Sequence, residues 1–207
     1  MTETSVKEYA FDLSGGRLCL DFANTVSGSR ARPTERLHSY DDLISWARQA
    51  GTVDEREAQR LAQAARRHPA DAARVLADAV HLREALFRIF SAGTEDRLPQ
   101  PGDVEALNAA LPVALAHQRL EVGADGFVWG GAGSVDALER VLWPVVRSAA
   151  DLLTSPERGR VRRCGGANCD WLFMDNSRNH SRRWCDMGSC GNRAKARRYY
   201  ARHKEDA

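Results

Sequence analysis

Two pairs of cysteines in the last quarter of the chain constrain its folding more than any other feature. Cys164 and Cys169 enclose Gly-Gly-Ala-Asn, Cys185 and Cys190 enclose Asp-Met-Gly-Ser, and fifteen residues separate the pairs. Each spacing lets one tight turn present two sulfurs to a point, with backbone N–H groups offsetting the thiolate charge. Gly165, Gly166 and Asn168 suit the first turn, and Gly188, Gly191 and Asn192 the second, because these residue types tolerate positive φ. Four thiolates complete a tetrahedral shell. The spacing therefore predicts one structural zinc per chain, held by Cys164, Cys169, Cys185 and Cys190, with no open position for a substrate water. Reactive thiols and an iron–sulfur cluster are the competing readings. His180 and His203 lie outside the paired turns and read as solvated or phosphate-contacting side chains. Cys19 stands apart between Leu18 and Leu20 and reads as a small buried residue.

The segment bearing these pairs is about 50 residues long and has few apolar groups, so metal binding must supply part of its folding free energy. "DWLFMD" and "SRRWC" read as two short strands around the polar turn "NSRNH", and "GNRAKARRYYARHK" reads as a helix capped by Asn192. Tyr199 or Tyr200 is expected to pack back on this module, with Trp171 and Trp184 as partners.

Charge is divided unevenly. From Arg158 onward there are 13 Arg or Lys against 5 Asp or Glu, leaving 17 basic and 23 acidic residues before it. By formal count the tail is +8 and the front −6, within a net charge of +2. A preference for Arg over Lys can come from codon bias, since Lys occurs only at Lys7, Lys195 and Lys204, but bias does not explain clustering. A metal-fixed array of guanidinium groups matches phosphates and guanine edges. The candidate DNA contacts are Arg178, Arg182, Arg183, Arg193, Lys195, Arg197, Arg198 and Arg202, with duplex DNA as partner.

The front reads as mainly helical. "SYDDLISWARQAG" is a helix capped by Ser39 and stopped by Gly51, and a second helix follows in "DEREAQRLAQAARR". From Asp71 to Ser91, Leu76, Val80, Leu86, Phe87 and Phe90, with the stem of Arg83, recur at three- and four-residue intervals. Val104, Leu107, Leu111 and Leu115 form another stripe despite Pro112. Leu120 and Val122 before Asp125-Gly126, with Phe127 and Trp129 after, mark a hairpin. Ser134 is expected to cap a long apolar helix kinked at Pro144, and "TSPERGR" to end the domain. "GGRLCLDFANTVSG" fits a strand or a helical turn equally well. Asn24 and Thr25 at its end are candidate pocket residues, and His81 reads as a structural histidine.

The fold expected is α+β, mainly α: a helical domain with a small β-hairpin over residues 1–156, then a zinc-stapled ββα-like module over 157–207. The polar start and the lack of a long apolar run point to a cytoplasmic protein without membrane association. No phosphate loop, nucleophile elbow or metalloprotease helix occurs, which argues against an enzyme.

"CGGANCDWLFMDNSRN" followed by "RRWCDMGSCGNRAKARRYYAR" resembles the CGNR zinc-finger family over Arg163 to Arg202. "LCLDFANT" and "SYDDLISWARQAG" resemble the ABATE-type domain that accompanies this finger. The resemblance implies a bacterial stress-induced transcription regulator whose finger binds DNA, with the four cysteines as ligands and Arg178, Arg182, Arg183 and Arg193 at basic positions. A small-molecule effector at the front domain and a homodimer are further expectations. The alternative is an enzyme or ligand-binding protein acting through the front, using Asp21, Asn24 and Thr25, with the finger contacting RNA or protein.

Overall fold

The computed structural model describes residues 9–124, 126–131 and 137–204. The front consists of helices α1 (Leu18–Ala23), α2 (Tyr40–Gln49), α3 (Glu55–Arg67), α4 (Pro69–Thr94), α5 (Pro101–Ala116) and α6 (Trp143–Thr154). Two hairpins interrupt them: β1 (Val26–Ser29) with β2 (Arg32–Glu35), and β3 (Gln118–Gly123) with β4 (Gly126–Gly131). The tail adds β5 (Val161–Arg163), β6 (Leu172–Met174) and α7 (Asn192–Lys204). Among the described residues no helix is long and apolar enough to cross a membrane.

Local chemistry accounts for the helix starts. Ser39 Oγ accepts the Asp42 N–H at 3.1 Å while Asp42 Oδ2 accepts the Ser39 N–H at 2.8 Å, a reciprocal capping box for α2. Asp54 accepts the Glu57 N–H at 2.7 Å and caps α3. Gly51, at φ 70°, lets the chain leave α2 in the left-handed conformation. The ambiguous segment is a helix, α1, with Cys19, Leu20, Phe22 and Ala23 all buried. It packs on α4, α6 and β6 together, and a helix covered nearly all round shows no polar face in its sequence.

Two expectations need correction here. The long helix kinked at Pro144 is a 3-10 turn (Leu138–Val141) followed by α6, whose first turn contains Pro144; proline lacks an N–H and fits best where none is required. The cap assigned to Ser134 lies outside the described residues. In the tail, "DWLFMD" supplies β6, but its antiparallel partner is Val161–Arg163, paired Val161 to Met174 and Arg163 to Leu172. "SRRWC" forms no strand. The ββα order survives with a different first strand.

β6 joins the tail to the front. Its alternation points Leu172 and Met174 into the apolar core shared by α1, α4 and α6, and Phe173 onto the cysteines. Val161 enters the same core. The outer edge of β6 is closed by a side chain: Asn24 Nδ2 donates to the Leu172 carbonyl at 2.8 Å, and Asn24 Oδ1 accepts the Leu172 N–H at 2.9 Å. A carboxamide thus stands in for a missing strand.

An ionic chain runs beside this seam. Arg83, only 2% exposed, donates to both Glu35 oxygens at 2.6 and 2.7 Å and so joins α4 to β2. Burial alone would raise the Glu35 pKa, but hydrogen bonds from Arg83 win and hold it down at about 2. Arg30 forks onto Glu84, and its backbone N–H donates to Asp170 of the tail at 2.6 Å.

Candidate metal centre and basic face

The sulfur atoms of Cys164, Cys169, Cys185 and Cys190 are all buried and lie within 4.8 Å of one another. Cys169 and Cys190 are each 3.8 Å from Cys185. A zinc–sulfur bond of about 2.3 Å places the corners of a tetrahedron about 3.8 Å apart, so these edges fit the ion. A Cβ on Gly166 would stand 3.2 Å from the Cys190 sulfur and 3.4 Å from that of Cys164, which leaves glycine as the residue that closes the cradle without pressure. Phe173, Trp171 and Trp184 pack around the sulfurs and exclude water.

Backbone contacts hold the two cysteine turns in register. The Cys164 N–H donates to Trp171 O at 2.8 Å, the Gly165 N–H to Arg183 O at 2.8 Å, and the Cys169 N–H to Gly166 O at 3.1 Å. The Cys185 N–H points at the Cys164 sulfur at 3.4 Å, and Arg193 donates to the Cys190 sulfur at 3.1 Å. As bare thiols Cys164, Cys169 and Cys185 compete for protons. Hydrogen bonds from Cys169 and Cys185 push Cys164 well down, and the same contacts push Cys169 and Cys185 up. A divalent cation relieves that competition by accepting four thiolates together. The donor set and spacing are those of one structural zinc per chain.

The remaining predicted residues divide by what they touch. Arg182 is spent internally: its guanidinium donates to the carbonyls of Trp184, at 2.9 Å, and Cys185, and covers the Phe173 ring at 4.8 Å. Arg193 serves the sulfur cluster. Arg178, Arg183, Lys195, Arg197, Arg198 and Arg202 are exposed. Among the described residues, no carboxylate lies within ion-pair distance of any of the six.

α7 follows a single widened turn, Met187–Gly191, whose cap is Asp186, accepting the Ser189 N–H at 2.5 Å. Asn192 is already helical, and its amide donates to Gly188 O at 3.0 Å, so it braces the turn where a cap was expected. Tyr199 and Tyr200 do not pack back: they are 59% and 71% exposed, with Tyr199 against His203 at 4.1 Å. Trp184 is flanked by the guanidinium groups of Arg183 and Arg198 at 5.7 and 5.9 Å, which occupy the place foreseen for a tyrosine.

The pocket expected at Asn24 and Thr25 is a clamp. Both polar atoms of Asn24 are committed to Leu172, while the Thr25 hydroxyl donates to Phe22 O at 2.8 Å and receives Arg83 at 3.4 Å. His81, read as a structural histidine, lies exposed on α4. Cys19 is fully buried, and burial pushes its thiol up to about 12, leaving it unreactive.

Sequence reasoning missed Asp175. It is buried at the end of β6 and accepts the Ser177 N–H at 2.9 Å, the Ser177 hydroxyl at 2.5 Å and the Arg182 N–H at 2.8 Å, organising the loop back to Cys185. Burial opposes its ionisation, but the Ser177 and Arg182 hydrogen bonds hold its pKa below the ordinary carboxylate value. An acidic residue at the head of the run that leads to Arg178, Arg182 and Arg183 was the available signal.

A helical body joined to a four-thiolate zinc module with a basic terminal helix defines a zinc-finger protein. Residues 16–156 match the model of the ABATE family, described as a putative stress-induced transcription regulator, and residues 160–203 match the CGNR zinc finger. The chain belongs to the ABATE family and carries a CGNR zinc finger at its C-terminal side. No curated protein matches it.

Proposed function

We propose that this chain is a cytoplasmic, bacterial DNA-binding transcription regulator acting in stress responses, with residues 157–207 as the docking module and residues 1–156 as the body that receives a small-molecule signal. One observation carries the reading. In the body, arginines such as Arg30, Arg74, Arg83, Arg88 and Arg140 are paired with carboxylates. The six exposed cations of the tail have no such partner among the described residues, and the zinc scaffold holds them in one region. Unpaired, pre-positioned cations are what a phosphate backbone rewards, through release of condensed counterions. Arg182 and Arg193 support the scaffold, so the contacts fall to Arg178, Arg183, Lys195, Arg197, Arg198 and Arg202. The exposed apolar side chains of β3–β4, Leu120, Val122 and Phe127, support a homodimer, which would match the two-fold symmetry of paired half-sites.

The test is fluorescence anisotropy of zinc-loaded protein on random duplex DNA between about 50 and 200 mM salt, where each phosphate contact contributes about −0.9 to the log–log slope. The expected slope is steep and flattens by about 1 for each of Arg197→Gln, Arg198→Gln and Arg202→Gln. A flat salt dependence in the folded, metal-loaded protein refutes the reading.

A further inference from the structure

A cavity of about 460 Å³ opens between α3, α6 and the β3–β4 hairpin, far in sequence from the cysteines. Its size is that of a small-molecule site, which typically spans about 300–1,000 Å³. Two indoles, Trp129 and Trp143, contribute to its wall. Arg140 also lines it but is neutralised by Glu57, to which it is ion-paired. Arg147 is different: its guanidinium lies over the Trp129 ring at 4.4 Å, and no ion pair or hydrogen bond holds it among the described residues.

The wall also concentrates unmet hydrogen-bonding groups. Among the described residues, seven buried side-chain polar atoms have no partner, and three of them belong to this lining: Gln118 Oε1, Trp143 Nε1 and Arg147 Nε. Such groups are rare in native proteins because each costs free energy while unpaired, so three of them on residues of one cavity wall mark a place where the fold leaves polar side chains unsatisfied. Desolvation lowers the Arg147 pKa, and Asp151 only partly offsets it, which leaves a cation that gains from a fixed anion beside it.

We propose that this cavity binds a small planar aromatic carboxylate. The carboxylate meets the edge of the Arg147 guanidinium, which matches it in planarity and spacing. The aromatic body fits against Trp129 and Trp143. Binding stands on the cavity alone; its regulatory consequence rests on the transcription-regulator reading. The test is therefore run without DNA, so that failure to bind a carboxylate and failure to bind DNA are separate results.

Isothermal titration of the full zinc-loaded chain with benzoate, phenylacetate and indole-3-acetate, each beside its neutral amide, reads the site directly. At least one carboxylate is expected to saturate the protein at one per chain, at least tenfold more tightly than its amide. Arg147→Gln is expected to remove that preference, and Trp129→Leu to weaken binding of acid and amide alike. Both side chains lie outside the buried core, and circular dichroism with zinc content confirms that the variants fold. The proposal is overturned if no carboxylate binds below about 10 mM, a weaker limit than millimolar site binding. It is equally overturned if amides bind as well as acids, or if Arg147→Gln binds like the parent. With DNA then added, a shift in DNA affinity on carboxylate saturation makes the cavity an effector site.

Discussion

Asp21 lies in α1, where its Oδ1 accepts the Gly15 N–H at 2.7 Å, yet burial outweighs that bond and raises its pKa to about 6. The folded chain therefore holds this proton more tightly than the unfolded chain, whose carboxyl titrates at about 3.9. By linkage, stability falls as pH rises through the window from about 4 to 6, and the deficit persists above it. Asp21→Asn keeps an acceptor for Gly15 and removes the charge, so it is expected to flatten that window and to gain about 1–2 kcal/mol at pH 8. Urea melts of both proteins at pH 4.5 and pH 8 measure it; a parent whose stability rises across the window contradicts the assignment. The arginines teach a related lesson. Arg182 and Arg198 are alike in sequence, but one is bonded to the Trp184 and Cys185 carbonyls beside the metal centre and the other to a carbonyl of its own helix, Ala194 O at 3.4 Å, next to an indole face. Arg182→Gln is expected to destabilise the metal module by about 1–2 kcal/mol and to hasten zinc loss to a chelator, whereas Arg198→Gln leaves that rate unchanged. Side-chain patterns announced the charge, but not its expenditure, because backbone carbonyls leave no trace in residue type.

Elements differed in how openly they declared themselves. α2 and α3 carry caps, α4 opens on Pro69 and carries a 3.6-residue stripe, and the β3–β4 register pairs Leu120 with Trp129 and Val122 with Phe127, as alternation predicts. The cysteine spacing identified the metal centre, since four thiolates have few other ways to be buried together. α1 and β5 stayed hidden for opposite reasons. α1 is covered on nearly every side and so lacks periodicity, while β5 is three residues long, two of them arginine, and lies where composition marks a linker. Its pairing matters because the first cysteine turn is the loop of the β5–β6 hairpin. Zinc removal is therefore expected to release β6 as well as the cysteine turns. Hydrogen exchange after chelation should rise at Leu172 and spread along α1, which loses its Asn24 clamp, while α2 and α3 keep their protection. Exchange confined to residues after Cys185 would show that β6 holds without the metal.

At the scale of the molecule, the break in composition at "TSPERGR" is not a break in packing. Val161, Leu172 and Met174 lie in one continuous core with residues of α1, α4 and α6, and Asn24, Arg30 and Trp171 cross the seam by hydrogen bonds. Side chains of that size contribute about 1.5–3 kcal/mol each when fully buried, and the Asn24 amide without Leu172 becomes a buried polar group lacking a partner. A chain cut after Glu157 is therefore expected to lose at least about 4 kcal/mol, a large share of the total stability of a domain. The zinc-loaded full chain is expected to unfold in one step, with tryptophan fluorescence, circular dichroism and zinc release coincident in urea. Two separated transitions, or a cut chain as stable as the whole, would mean that the shared core contributes little. A single transition has a functional consequence: a contact that biases the body reaches the basic helix through packed side chains at β6, with no flexible linker between to dissipate it.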